Sequence, residues 1–116
     1  MKLKILVFEP GEKPYEKDIE DDIEAMQSVV GGSIEAVYFD PKRKAVAWCN
    51  DEFLLNGSRP NRMVGGVVIH GTFYICGNTL GAEGWTCCSL NPDQLNRYKK
   101  FADQLFLDCS FISTFF

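Results

Sequence analysis

The chain has 116 residues, 46% of them hydrophobic and 24% charged, with a net charge of -4. That length suits one folded domain around a hydrophobic core, and the net acidity argues against a general nucleic-acid binder, whose surface is normally basic. No window approaches the ~18 consecutive apolar residues of a membrane helix. No secretory leader is expected either, because Glu9 and Pro10 cut short the apolar run that follows Met1-Lys2.

Lys2 to Phe8 is apolar on both faces, with Leu3, Ile5 and Val7 on one and Leu6 and Phe8 on the other, which predicts a central strand covered on both sides. Glu9-Pro10-Gly11 ends it, since Pro lacks the ladder donor. A helix is predicted from about Tyr15 to Gly31, on the helical spacing of Ile19, Ile23, Met26 and Val30, with Gly31-Gly32 as its stop. Ser33 to Phe39 reads as the next strand. Two strands joined by a helix are most simply parallel, with a right-handed crossover.

Asp40-Pro41-Lys42-Arg43 reads as a turn and Lys44 to Asn50 as a third strand, antiparallel to the second. Asp51 to Gly66 is read as one long loop rich in Asn, Gly, Pro and Arg, which marks it as functional or partly structured. Val67 to Cys76 reads as one strand, followed by a Gly-rich turn and a short strand around Trp85 to Cys88. Asn91-Pro92-Asp93-Gln94 has the form of a helix start, with Asn as cap and Gln three residues on. Leu95, Tyr98, Ala102, Leu105 and Phe106 form the apolar stripe of that helix. The expected fold is therefore α+β: a single domain over residues 1–116, a mixed sheet of four to five strands and two main helices in the order β-α-β-β-β-(β)-α. Residues 107–116 form an apolar tail expected to dock on the domain or on a partner, or to join two copies of the chain.

Four places could carry recognition. Strand alternation puts His70, Thr72 and Tyr74 on one side of Val67–Cys76, where they could line a groove with a donor, an acceptor and a stacking ring. The plain alternative is a covered or solvated sheet face, and the chain's one histidine has no evident acid or nucleophile partner. Asn50, Asn56, Arg59, Asn61 and Arg62 bring amide and guanidinium groups that suit a polar ligand or partner, although Asn-Gly and Pro-Asn are also ordinary turn formers. The Glu9–Tyr15 loop lies after the end of a predicted central parallel strand, where open α/β sheets bind ligands, but it contains no phosphate-loop pattern. Finally, Glu16, Asp18, Glu20, Asp21, Asp22 and Glu24 would form an acidic helix face, with Glu20, Asp21 and Glu24 opposite the apolar stripe. Such a row could imitate DNA phosphates toward a nuclease; the plainer reading is a solvated helix face, favourably acidic at its amino end.

The five cysteines, Cys49, Cys76, Cys87, Cys88 and Cys109, include no CxxC and read as reduced, mostly buried thiols, with a reactive thiol as the lesser alternative. No metal, cofactor or catalytic arrangement is predicted, and the chain does not read as an enzyme.

The pattern formed by Val7, Glu9-Pro10-Gly11, Pro14-Tyr15, Ile19, Val30-Gly31-Gly32, Ile34-Glu35 and Val37-Tyr38 resembles a small uncharacterised domain family of phages, plasmids and conjugative elements. The resemblance continues through Cys49-Asn50, Leu55-Asn56-Gly57, Asn61-Arg62 and Gly71-Thr72-Phe73, covering roughly residues 2 to 77. It implies no established activity. It does imply a mobile-element habitat, a location in the bacterial cytoplasm, and a counter-defence role. In the first reading the protein inhibits a host immune effector, such as a CRISPR or restriction nuclease, by direct protein binding. In the alternative it sequesters a nucleotide-type immune signal.

Overall fold

The computed structural model describes residues 2–53, 55 and 57–107, with side chains through Lys100. Its order is β1 (Lys2–Phe8), β2 (Tyr15–Glu20), α1 (Ile23–Val30), β3 (Ile34–Val37), β4 (Ala45–Asn50), β5 (Pro60–Val64), β6 (Val67–His70), β7 (Phe73–Gly81), β8 (Gly84–Cys88) and α2 (Pro92–Leu107). The α+β class and the two helices are as expected. The strand count is higher than expected, and every strand pair among the described residues is antiparallel rather than mixed.

The main sheet runs β2-β1-β7-β4-β3, with β8 pairing β7, while β5 and β6 form a separate hairpin. β1 is apolar on both faces because it is covered on both. Leu3, Ile5 and Val7 pack with Met26 and Val30 of α1. Leu6 and Phe8 pack with Val64, Ile69, Leu95 and Tyr98, from the β5–β6 hairpin and α2. The molecule is thus layered, with α1 on one face of the sheet and α2 with the hairpin on the other.

The predicted parallel β-α-β unit does not form. The neighbours of β1 are β2 and β7, and β7 and β4 stand between it and β3. The first half of the predicted helix is instead strand β2. Its alternating Glu16, Asp18 and Glu20 face the alternating Lys4 and Lys2 of β1, and these cross-strand charges favour the pairing. Lys2 bonds Glu20 at 2.9 Å, Lys4 bonds Asp18 at 3.1 Å, and Lys99 of α2 bonds Glu16. α1 begins only at Ile23, where Asp22 caps it by accepting from the Ala25 amide at 2.7 Å, and it stops at Gly31 in the left-handed conformation.

Two other elements differ from expectation. Met63-Val64 and Val67-Val68 are closed into the β5–β6 hairpin by Gly65-Gly66, both at positive φ, so the predicted long loop ends at Arg59. The predicted Val67–Cys76 strand breaks at Gly71, at φ 78°, and its halves lie in different sheets. The second helix starts as predicted, with Asn91 and Gln94 exchanging side-chain and backbone hydrogen bonds at 2.8 and 3.0 Å. The apolar tail predicted to dock lies outside the described residues, as do Asn56 and Cys109. No helix among the described residues is long and apolar enough to cross a membrane.

Candidate functional site

A cleft of about 560 Å³ opens where four connections meet: the loop after β1, the end of α1, the approach to β5 and the β6–β7 turn. Glu9, Pro10 and Glu12 form one wall, Ser28 to Gly31 another, and Asn50, Ser58, Arg59, Gly71 and Thr72 the rest. Its volume falls in the usual range for ligand sites.

Each wall is held by identifiable bonds. Asn50 is buried; its amide donates to Val30 O at 3.2 Å and its carbonyl accepts from Glu52 N at 2.8 Å, which ties the end of α1 to the end of β4. Gly32 leaves room for that amide, since a Cβ there would lie 2.8 Å from Asn50 Nδ2. Gly71 N donates to Arg59 O at 2.7 Å, fixing the β6–β7 turn against the start of β5. Asn61 donates to Phe8 O at 2.9 Å and Gly71 O at 2.8 Å. Arg62 reaches under the loop after β1, donating to Glu9 O at 3.2 Å and Glu12 O at 2.6 Å, and to Asn61 Oδ1 at 2.6 Å. Its guanidinium also lies over the Phe8 ring, 5.3 Å from the centroid.

The charge of the cleft is mixed and leans negative. Glu9 and Glu12 face the C-terminal end of α1, where the helix dipole is negative and no basic residue sits in the last turn. Arg59 is the cation among the lining residues, and it is exposed. Serine, threonine and asparagine groups complete a surface able to hold a polar or charged group; no nucleophile–base pair is assembled there.

The sequence profile of a domain of unknown function, DUF3846, matches residues 1–103. The chain belongs to that family. No curated protein and no solved structure matches it.

Within this DUF3846 domain the predicted site residues separate into three groups. Asn50, Arg59 and Thr72 do converge on the cleft, together with the predicted Glu9–Glu12 loop. Asn61 and Arg62 are buried struts, not a displayed ligand surface. His70 and Tyr74 leave the proposed common face because Gly71 turns the chain between them. His70 stacks on Phe53 at 5.5 Å, with Nδ1 3.1 Å from Ser58 O. Tyr74 is wholly buried on the α1 side of the sheet, where burial raises its phenol pKa.

The acidic helix face also dissolves. Glu20 lies on β2 opposite Lys2, Asp21 lies between the elements, and Glu24 is in the first turn of α1. Hydrogen bonds from Lys99 and Lys2 lower the carboxyl pKa values of Glu16 and Glu20 respectively. Among the described residues no cluster of His, Cys, Asp and Glu could hold a metal ion. Ser28 and Ser58 were missed from sequence; the signal available was that Ser28 lies in the helical turn before Gly31 and Ser58 directly follows Gly57.

Proposed function

We propose that this DUF3846 domain is a non-enzymatic binding protein that captures a partner protein through the cleft between the Glu9–Glu12 loop and the end of α1. The observation that carries the reading is that Glu9 and Glu12, a negative helix end and neutral polar residues line one open cavity. That arrangement suits a cationic side chain of the partner, Lys or Arg, with Arg59 meeting an acidic group beside it. Following the resemblance to proteins of phages, plasmids and conjugative elements, the partner is a host immune effector such as a CRISPR or restriction nuclease, and binding inhibits it in the bacterial cytoplasm. The former acidic face contributes less than expected, because Glu16, Asp18 and Glu20 spend their charges on lysines of the same molecule.

A second reading rests on Arg59 and Asn50, which could hold the phosphate and base of a nucleotide signal in the same cleft. One experiment separates the two. The tagged full chain is recovered from a host carrying an active defence system, and co-purifying proteins and small molecules are identified by mass spectrometry. Protein binding predicts a stoichiometric effector that is lost with the Glu9→Lys, Glu12→Lys double variant. A nucleotide binder gains thermal stability from a panel of mono-, di- and cyclic nucleotides and loses that gain with Arg59→Ala. An effector captured equally well by the charge-reversed variant would remove the cleft from the binding surface.

A further inference from the structure

On the α1 face of the sheet, four side chains with reactive or polar atoms, none of which lines the cleft, come together. Cys76 and Tyr74 of β7, Trp48 of β4 and Cys87 of β8 belong to one packed cluster. The registers Trp48↔Tyr74, Val46↔Cys76 and Asn78↔Cys87 put Cys76 and Cys87 in diagonal positions on one face of the β7–β8 pair. Both thiols are free. Cys76 is wholly buried, whereas Cys87 is partly open to solvent.

The polar atoms around them are incompletely satisfied. Trp48 Nε1 and Tyr74 OH are buried and make no hydrogen bond of ordinary geometry. Buried donors without a partner are few in native cores. The Trp48 indole acts on both sulfurs and favours their thiolate forms. The hydrogen bond from Cys76 lowers the Cys87 thiol below its ordinary value of 9.0, with the Trp48 indole acting in the same direction against the opposing effect of burial. The same contact raises Cys76, as does its burial. The two thiols are thus unequal: Cys87 is the more exposed and is shifted toward the thiolate, whereas Cys76 is buried and shifted toward the thiol.

We propose that Cys76 and Cys87 form an oxidisable thiol pair that closes to a disulfide on reaction with a peroxide. The Cys87 thiolate attacks one peroxide oxygen, the O–O bond breaks, and the departing hydroxide takes a proton to leave as water, giving Cys87 sulfenic acid. Cys76 then gives up its proton and its sulfur attacks the Cys87 sulfur; the S–O bond breaks and a second water leaves. Two electrons pass from the two thiols to the peroxide. Diagonal neighbours stand about 7–8 Å apart at Cα, slightly beyond a relaxed disulfide. β8 has β7 as its ladder partner and lies off the main strand path, so the edge strand can be drawn inward. A bond closed under such strain is readily reduced, as regulatory disulfides are.

The test uses the reduced full chain, hydrogen peroxide as probe, and alkylation under denaturing conditions followed by non-reducing peptide mapping. The expected result is loss of two of the five thiols, a Cys76–Cys87 linked peptide, and full recovery with dithiothreitol. Cys88→Ser should leave the link intact. In Cys76→Ala, Cys87 should gain oxygen instead of closing a bond. In Cys87→Ser, whose substituted position is partly exposed, Cys76 should become resistant to peroxide. Linkage of Cys87 to Cys88 or Cys109, or a peroxide dose that oxidises free cysteine yet leaves both thiols alkylatable, overturns the proposal.

Discussion

Replacing Arg62 with Ala separates a structural arginine from a ligand-binding one. The side chain is only 6% exposed. Its removal deletes donors to Glu9 O, Glu12 O and Asn61 Oδ1, and the stacking over Phe8. Charged hydrogen bonds contribute about 1.5–3 kcal/mol each. The carbonyls of Glu9 and Glu12, on a partly exposed loop, recover water once the guanidinium is gone, whereas Asn61 is buried and loses a partner outright. A net loss of about 3 kcal/mol follows, which in a domain of this size lowers Tm by about 12 °C. Arg59→Ala, on an exposed residue of the same segment, should change stability by less than ~0.5 kcal/mol. Thermal and urea unfolding followed by far-ultraviolet circular dichroism measure both. If Arg62→Ala unfolds within about 1 kcal/mol of the parent chain, the strut reading is wrong and Arg62 must be returned to the candidate ligand residues.

Two further outcomes concern the sheet. A Cβ at Gly77 would stand 2.7 Å from Ser89 O and 2.9 Å from Cys88 O, so Gly77→Ala should force β8 away from β7 and cost about 1–3 kcal/mol in denaturant unfolding. The Glu16→Gln, Glu20→Gln double variant should be less stable than the parent at neutral pH. Both carboxyls are held below their ordinary value of 4.5 in the folded state, first by hydrogen bonds from Lys99 and Lys2. Their contribution is therefore present above pH 4.5 and lost as pH falls through the depressed values. The Tm gap between variant and parent should close under acid, and also narrow in high salt; a gap independent of pH would contradict the assignment.

The parts legible in the sequence were those set by local chemistry. The two-faced apolar run of β1, the Gly31 stop and the Asn91–Gln94 cap each depend on neighbours within a few residues. The Tyr15–Glu20 strand was obscured because Ile19 sits at helical spacing from Ile23, Met26 and Val30, and a single buried side chain cannot distinguish the two periods. The alternation of its carboxylates against the lysines of β1 was the competing signal, and it becomes meaningful only once the strands are paired. Gly71 was similarly ambiguous, since nothing local says that a glycine within an apolar run will adopt positive φ. The cleft was partly visible: Asn50, Arg59, Thr72 and the Glu9–Glu12 loop were each singled out, but their meeting depends on β7 entering the sheet between β1 and β4. Arg62 looked like a ligand residue because sequence alone does not report that its fork is filled by backbone carbonyls.

The placement of β7 between β1 and β4 also constrains how the protein is made. β1 can pair with β2 soon after both leave the ribosome, but its other edge waits for Phe73, Tyr74 and Ile75. At synthesis rates of about 5–20 residues per second, that delay lasts several seconds. Throughout it a nascent hairpin exposes Leu6, Val7 and Phe8 on an unpaired edge, which can nucleate aggregation. The charge ladder of β2 then has a role before the fold exists: a hairpin flanked by carboxylates and lysines stays dispersed until the middle of its own sheet arrives.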